Sequence, residues 1–386
     1  MKMLPVAVIS QRARKRLKGK HPWIFSNELE IRPQALAGDL VQVQDNAGKF
    51  VAVGYYNPHT LIAVRILSHT HHEFDLTERI KTALALRRQV YRTDIYRLIY
   101  SESDGLPGLI VDRYDATLVV QILTAGMERM REQIISSLVE VVNPQRIQLR
   151  NDSDYRKLEG LSIESCWVFG EKIDRQVMEL DGLQFIVPFE EGQKTGFFLD
   201  QQENRRRLLQ HADGKNMLDA FCYTGAWSLY GAKAGLQSIT AVDTSEAALN
   251  ILRQNANLNG AAIEAVNADV FDFLRSKYDG SERFDLIVLD PPAFCKSKRH
   301  LREALKGYRE INLRAMKLLS RHGFLFTCSC SQPVASETFI EVLRAAGGDS
   351  GRSFHIREIL HHPQDHPVLL GFPESQYLKC VVLQVV

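Results

Sequence analysis

The chain has 386 residues, 45% hydrophobic and 24% charged, an ordinary globular composition that excludes a disordered or fibrous protein. No apolar run nears the ~18 residues that cross a bilayer, and the start, Met1-Lys2-Met3-Leu4-Pro5, lacks a signal peptide's long apolar core; a soluble, cytoplasmic protein without membrane contact is expected. The length favours more than one domain, and the net charge of +2 conceals an asymmetry.

Residues 1–27 carry seven Lys or Arg (Lys2, Arg12, Arg14, Lys15, Arg16, Lys18, Lys20) and no acid, which leaves a net −5 across residues 28–386. Such a block suits a phosphate-backbone partner, with a solvated helix face as the alternative. Residues 1–72 read as a small β domain. Alternating segments at 40–43, 50–56 and 62–67 are separated by turn signals at Gly38-Asp39, Asn46-Ala47-Gly48 and Asn57-Pro58.

Residues 73–188 read as a compact α+β domain. Apolar positions at helical spacing predict a helix over 76–91 with Thr77 as a candidate cap. Strands follow at 109–113 and 117–123, a helix at 127–142, a strand at 146–149, and a hairpin of 176–180 with 183–187 around Asp181-Gly182. From 189 to 386, strands at 216–220, 239–242, 286–289 and 323–327 alternate with helical patterns such as 245–258 and 302–319. That is the signature of a parallel sheet covered on both faces. Ligands bind such sheets outside the carboxyl ends of the strands, where Asp219, Asp243, Asp269, Asp290 and Cys330 fall.

The segment Leu218-Asp219-Ala220-Phe221-Cys222-Tyr223-Thr224-Gly225-Ala226 reads as strand, short turn, then helix, with small residues that let a ligand approach the backbone. Only Gly225 is a glycine, so the dinucleotide fingerprint is missing and a plain structural turn stays open. Asp243 ends the next strand, placed to accept from ribose hydroxyls, and Asp269 could receive an adenine amino group. Ribose and adenine with little provision for phosphate point to S-adenosylmethionine rather than NAD. Each Asp alone would equally serve as a helix cap.

Phe284-Asp285-Leu286-Ile287-Val288-Leu289-Asp290-Pro291-Pro292-Ala293-Phe294 is an apolar strand ending on an acid and two stiff prolines. Phe294 is then expected on a loop, its face free to stack on an extruded base whose polar edge meets Asp290. Over 295–309, Lys296, Lys298, Arg299, Arg302, Lys306 and Arg309 face one acid, Glu303, which suits a polynucleotide backbone or a solvated helix face.

The six cysteines (Cys166, Cys222, Cys295, Cys328, Cys330, Cys380) include no Cys-x-x-Cys and are expected as reduced thiols, and neither they nor the His groups at 69–72 and 361–366 suggest a metal site. Gly323-Phe324-Leu325-Phe326-Thr327-Cys328-Ser329-Cys330-Ser331 is a strand running into a small polar turn. Alternation is expected to turn one of its cysteines to the catalytic edge and the other into the packing. A thiol there can act as a nucleophile, or be buried and inert.

With these residues laid out, the chain resembles the bacterial 23S ribosomal RNA cytosine-5 methyltransferase family, the large-subunit methyltransferase I group, nearly end to end. Lys18-Gly19-Lys20-His21-Pro22-Trp23-Ile24-Phe25-Ser26 and Ala37-Gly38-Asp39-Leu40-Val41 look like its PUA domain, an RNA-binding β-barrel. Ser101-Glu102-Ser103-Asp104-Gly105-Leu106-Pro107-Gly108-Leu109 resembles its middle domain, and Gly192-Gln193-Lys194-Thr195-Gly196-Phe197-Phe198-Leu199-Asp200-Gln201 its entry into the catalytic domain. Phe221-Cys222-Tyr223-Thr224-Gly225, Asp290-Pro291-Pro292-Ala293-Phe294 and Ser329-Cys330-Ser331 match its cofactor, base and nucleophile motifs.

The resemblance implies a class I, Rossmann-like methyltransferase domain with a seven-stranded, mostly parallel sheet, S-adenosylmethionine as donor and Cys330 as nucleophile. Asp219, Phe221, Tyr223, Thr224, Gly225, Asp243, Asp269 and Asp290 would hold the cofactor, and Asp290, Pro291, Pro292 and Phe294 the base. Lys296, Lys298 and Arg299, with Arg14, Lys15 and Arg16, would meet phosphates of 23S ribosomal RNA, naked or in a partly assembled subunit. Cys295 is expected to be incidental, and a homodimer is left open. Purine-nitrogen methylation, which needs no thiol, and a non-catalytic RNA-binding protein are the rival readings.

Overall fold

A computed structural model describes residues 4–70, 74–190, 192, 195–212, 216–278, 282–295 and 297–386. Its contacts divide the chain into two units. One holds Met1–Asp174, Gly192–Phe197 and Gln364–Ser375; the other holds Arg175–Glu191, Phe198–Pro363 and Gln376–Val386. No helix among the described residues is long and apolar enough to cross a membrane.

The first unit contains two sheets. A six-stranded one is built from Val6–Ile9, Trp23–Phe25, Leu29–Ile31, Leu40–Asp45, Phe50–Tyr56 and Ile62–Ser68. The helix Gln11–Leu17 buries Ala13 and Leu17 against that sheet's core and leaves Arg12 and Lys15 exposed. A five-stranded sheet is built from Ile95–Tyr100, Leu109–Tyr114, Thr117–Ile122, Arg146–Asn151 and Glu164–Phe169. The helix Leu76–Val90 starts on Asp75, whose carboxylate accepts from the Glu78 amide at 3.0 Å. Thr77, the expected cap, lies inside the first turn and bonds to Ser137 instead. The helix expected over 127–142 is two, Ala125–Arg129 and Arg131–Val142, broken at Met130.

The second unit carries the seven-stranded sheet: β1 (Asn216–Ala220), β2 (Ser238–Asp243), β3 (Glu264–Asn267), β4 (Phe284–Leu289), β5 (Leu319–Ser329), β6 (Phe354–Leu360) and β7 (Lys379–Val385). Their order is β3-β2-β1-β4-β5-β7-β6. The first five are parallel neighbours, while β7 runs antiparallel to both β5 and β6. Helices α1 (Gln202–His211), α2 (Ala226–Lys233), α3 (Glu246–Leu258), α4 (Val270–Tyr278), α5 (Leu301–Leu318) and α6 (Ser336–Ser350) join and cover the strands. β4 reads as a near-continuous apolar run because both of its faces are covered; Ile287 and Leu289 enter a core with Tyr308, Leu325 and Phe339. The order reverses between β1 and β4, which opens a crevice at their carboxyl ends.

The hairpin Arg175–Leu180 with Leu183–Pro188 groups with this unit. Asp181 and Gly182 both take positive φ, 55° and 69°, as a two-residue type I′ turn requires. Asn255 of α3 ties it down by accepting from the Ile186 amide at 2.8 Å.

Gly225 is required by geometry. Its φ is 79°, and a Cβ there would lie 2.5 Å from Leu252 Cγ. The variant Gly225→Ala is expected to lose more than about 1 kcal/mol of stability. A denaturant midpoint equal to the parent's contradicts this account of the turn.

Candidate active site

The turn after β1 is strained and pinned. Phe221 and Tyr223 sit at φ 64° and 48°, a left-handed conformation that costs bulky residues on the order of 1–3 kcal/mol each. Hydrogen bonds to the end of β2 hold them: the Phe221 and Cys222 amides donate to the Val242 carbonyl at 2.9 and 3.1 Å, and the Tyr223 amide donates to Asp243 Oδ2 at 3.0 Å. Asp243 Oδ1 accepts from the Ser245 amide at 2.9 Å. Thr224 is buried, and its carbonyl accepts from Asn255 Nδ2. The Cys222 thiol is buried too, and burial pushes its pKa up.

Asp219 is fully buried. Its Oδ2 accepts from the amide and hydroxyl of Ser228 at 3.0 and 2.6 Å, latching β1 to α2. Burial raises its carboxyl to about 7, against the Ser228 bonds and with help from Asp290. Oδ1 is buried with no hydrogen-bond partner among the described residues. Asp269 is exposed and caps α4, its carboxylate accepting from the Asp272 amide at 3.1 Å. A half-buried carboxylate, an unsatisfied buried carboxylate oxygen and an exposed one, at three neighbouring strand ends, fit the hydroxyls and amino groups of S-adenosylmethionine.

Asp290, half-buried beyond β4, accepts from Gln201 Nε2 at 2.8 Å and from Trp227 Nε1 at 2.9 Å. Burial raises its carboxyl. Trp227 was not singled out by the sequence, and Gln201 only as the end of the Gly192–Gln201 motif, because no fixed spacing ties either to Asp290.

Pro291 is buried and Pro292 exposed, but Phe294 corrects an expectation. It lies on the loop after the prolines, as expected, but half-buried. It packs among Phe221, Phe271 and Tyr308, with centroids 6.3, 5.9 and 4.6 Å away. The chain leaving the prolines turns onto α5, where Gly307 makes room; a Cβ there would meet Phe294 at 3.3 Å. Phe294 is thus half-buried against the core, with less of its ring open than a freely projecting side chain would have.

Cys330 lies just past the end of β5, half-buried, its Sγ 3.7 Å from the Pro291 carbonyl. The following residue is anchored on every side. Ser331 is fully buried; its hydroxyl accepts from the Cys295 amide at 3.0 Å and pairs with the Tyr308 hydroxyl at 2.9 Å. Its carbonyl accepts from Lys379 Nζ at 2.8 Å. Strand alternation does not separate the two cysteines, since residues i and i+2 share a face; the strand's end at Ser329 does. Cys328 stays in the sheet opposite Cys380, where burial pushes its thiol up. Cys295 is 1% exposed, with Sγ donating to the Ser297 carbonyl.

The basic residues divide. Lys296 and the side chain of Lys298 lie outside the described residues. Arg299, Arg302 and Lys306 are exposed, while Arg309 pairs with Asp349 at 2.5 Å. In the first unit Lys15 is exposed and Arg14 lies 3.4 Å from Asp45. Arg16, expected at a phosphate, turns inward: it pairs with Glu28 at 2.5 Å, donates to the Trp23 carbonyl and stacks its guanidinium over Phe25. The described residues contain no group of three His, Cys, Asp or Glu able to hold a metal ion.

Comparison with known proteins matches residues 8–69 to a PUA-like domain and residues 127–376 to an S-adenosylmethionine-dependent methyltransferase family. Among curated relatives, Ribosomal RNA large subunit methyltransferase I of Shewanella frigidimarina is 41% identical, over 96% of each chain. The protein of that name from Alteromonas mediterranea is 36% identical over 98% of each. Among solved structures, a putative S-adenosylmethionine-dependent methyltransferase from Streptococcus mutans superposes with a TM-score of 0.85 at 21% identity, over 99% of this chain and 100% of its own. A putative methyltransferase solved with S-adenosylhomocysteine gives 0.86 at 21% identity, with the same coverage.

Replacing the pinned carboxylate by Asp243→Ala removes a charged acceptor, and S-adenosylmethionine affinity is expected to fall about tenfold or more. Calorimetric titration reads it; an affinity equal to the parent's removes Asp243 from the cofactor site.

Proposed function

The chain belongs to the S-adenosylmethionine-dependent methyltransferases that carry an N-terminal PUA-like domain, the family of Ribosomal RNA large subunit methyltransferase I, and from that premise we propose that it methylates carbon 5 of a cytosine in 23S ribosomal RNA through a transient adduct with Cys330. S-adenosylmethionine-dependent methylation of ribosomal RNA is the coarser statement that the full-length relatives support. The cytosine and the adduct rest on one observation. A half-exposed thiol stands at the carboxyl edge of the sheet, against the backbone of the Asp-Pro-Pro turn, while Cys222, Cys295, Cys328 and Cys380 in the same unit are buried.

Carbon 5 of cytosine is too poor a nucleophile to take a methyl group unaided. Thiolate addition from Cys330 to carbon 6 sends electron density to carbon 5 and makes the ring enamine-like. S-adenosylmethionine supplies an electrophilic methyl group on a sulfonium. Once carbon 5 carries the methyl, a base takes its proton, the carbon 5–carbon 6 double bond re-forms, and the Cys330 sulfur leaves as thiolate. In this reading Asp290, whose carboxylate accepts from Gln201 and Trp227, meets the polar edge of the base. The target must first leave its stack, at a cost of a few kcal/mol that is least in loops. Arg299, Arg302 and Lys306 in this unit, and Lys15 in the other, supply exposed cations for phosphates, so binding is expected to weaken with salt.

Removal of the thiol decides the chemistry. Cys330→Ala is expected to lose at least about 1,000-fold in methyl transfer, as removal of a nucleophile does. It should also lose the covalent adduct with RNA containing 5-fluorocytidine, while Cys328→Ala keeps both. Full activity in Cys330→Ala would assign the enzyme to a purine nitrogen instead.

A further inference from the structure

Lys379 has no task in the scheme above, yet it is among the most buried cationic side chains of the second unit. It opens β7 opposite Ser329 of β5 and is 2% exposed. A lysine so far from water needs compensation. Its Nζ donates to the carbonyl of Ser331 at 2.8 Å and to that of Tyr377 at 2.7 Å, which occupies two of its three donors. Carbonyl oxygens carry no formal charge. The Cys330 sulfur is the ionisable group that favours its protonated form.

We propose that Lys379 is a positioning residue for the Cys330 sulfur: its ammonium fastens the turn after β5 to the start of β7 and holds the thiolate that attacks carbon 6. The inference rests on the reading of Cys330 as the nucleophile. The thiol gives its proton to solvent, no electrons change hands, and the sulfur anion meets a cation already in place.

Other titratable groups surround this turn and the start of β7. Among them are His361, whose Nδ1 lies 3.1 Å from the Leu378 carbonyl, and His362, whose ring is 5.4 Å from that of Tyr377. Tyr308 on α5 has its hydroxyl raised to about 12 by burial, so it is neutral. Cys328 on β5 has its thiol pushed up by burial; Cys380 faces it on β7, and Cys295 is buried in the loop after β4. Asp290 beyond β4 is an acid and opposes a second anion. Asp200 accepts from the Tyr377 hydroxyl at 2.5 Å. Arg205 of α1, also buried in this unit, is acted on by Tyr230, Asp290, Asp200 and Asp219. Burial brings Lys379 down to about 8. Its charge, and its hold on the thiolate, are therefore present below that pH and fade above it, where a free thiol ionises on its own.

The test uses the full chain and needs no RNA. Iodoacetamide is pulsed from pH 6 to 10, and the Cys330 peptide is quantified by mass spectrometry. In the parent, the midpoint of Cys330 alkylation is expected about one pH unit or more below the ~8.5 of a free thiol. Lys379→Met should react about tenfold more slowly than the parent at pH 7 and converge with it at pH 10, whereas Lys379→Arg, which keeps the charge, should stay within about threefold. Superimposable parent and Lys379→Met profiles overturn the proposal. So does a parent midpoint at or above that of a free thiol, which is read on unaltered protein even if the variant fails to fold. Crosslinking to 5-fluorocytidine RNA is read separately. An absent crosslink with the alkylation shift intact sinks the cytosine reading and not the role of Lys379.

Discussion

Ser331 is the point from which the site hangs. It is fully buried, its hydroxyl joins the loop after β4 to Tyr308 on α5, and its carbonyl takes Lys379 from β7. Three elements distant in sequence are thereby fixed around one residue, and Cys330 is the next residue toward the amino end. A buried polar group left without its partner costs about 1–3 kcal/mol, so these bonds stand or fall nearly together. The position of the Cys330 sulfur beside the Pro291 carbonyl follows from them, since a half-buried side chain on an unpinned turn would have several rotamers to choose from.

Burial sets the electrostatics of the same region. Asp219 and Asp290 lie at adjacent strand ends, and each has its carboxyl raised chiefly by loss of water. Arg205 has its guanidinium pulled down by burial although Asp290, Asp200 and Asp219 oppose that, and it stacks over Trp227 at 6.0 Å. A crevice that already holds this much carboxylate resists another anion, and a thiolate is one. The sheet answers with topology. Running β7 antiparallel to β5 brings a lysine at the start of one strand opposite Ser329, the residue before Cys330, on the side of β5 away from the Asp219 latch.

Much of this arrangement was legible because it repeats a simple period. β1, β2, β4 and the core of β5 are short apolar runs, and α3 and α5 show helical spacing within a residue or two of their observed bounds. The acids at the strand ends were legible because they interrupt apolar runs. β3, β6 and β7 were not seen: β3 is four residues at the sheet edge, and β6 lies at the opposite edge, largely exposed, where alternation is weak. What sequence order hides is contact. Lys379 lies 48 residues from Ser331 and Trp227 lies 63 from Asp290, and no spacing rule links such pairs. The packing around Phe294 was hidden for a related reason: an aromatic beyond two prolines looks free until the helix beneath it is known.

Charge is the property that sequence counting overstates most. The basic block at the amino end looks like a row of phosphate ligands, and the helix Gln11–Leu17 does carry four cations in seven residues. A row of cations on a helix repels itself, however, and nearby acids relieve it. Glu28 takes Arg16 and Asp45 lies against Arg14, although both acids come from outside the block that was counted. The same happens at α5, where Asp349 of α6 takes Arg309. Among the described residues of these two segments, the exposed cations outside those pairs are Arg12, Lys15, Lys18 and Lys20 in the first unit and Arg299, Arg302 and Lys306 in the second. Each cation already paired has less counterion atmosphere to exchange with a phosphate. The electrostatic share of RNA binding therefore scales with this smaller set and not with the formal charge of the segments.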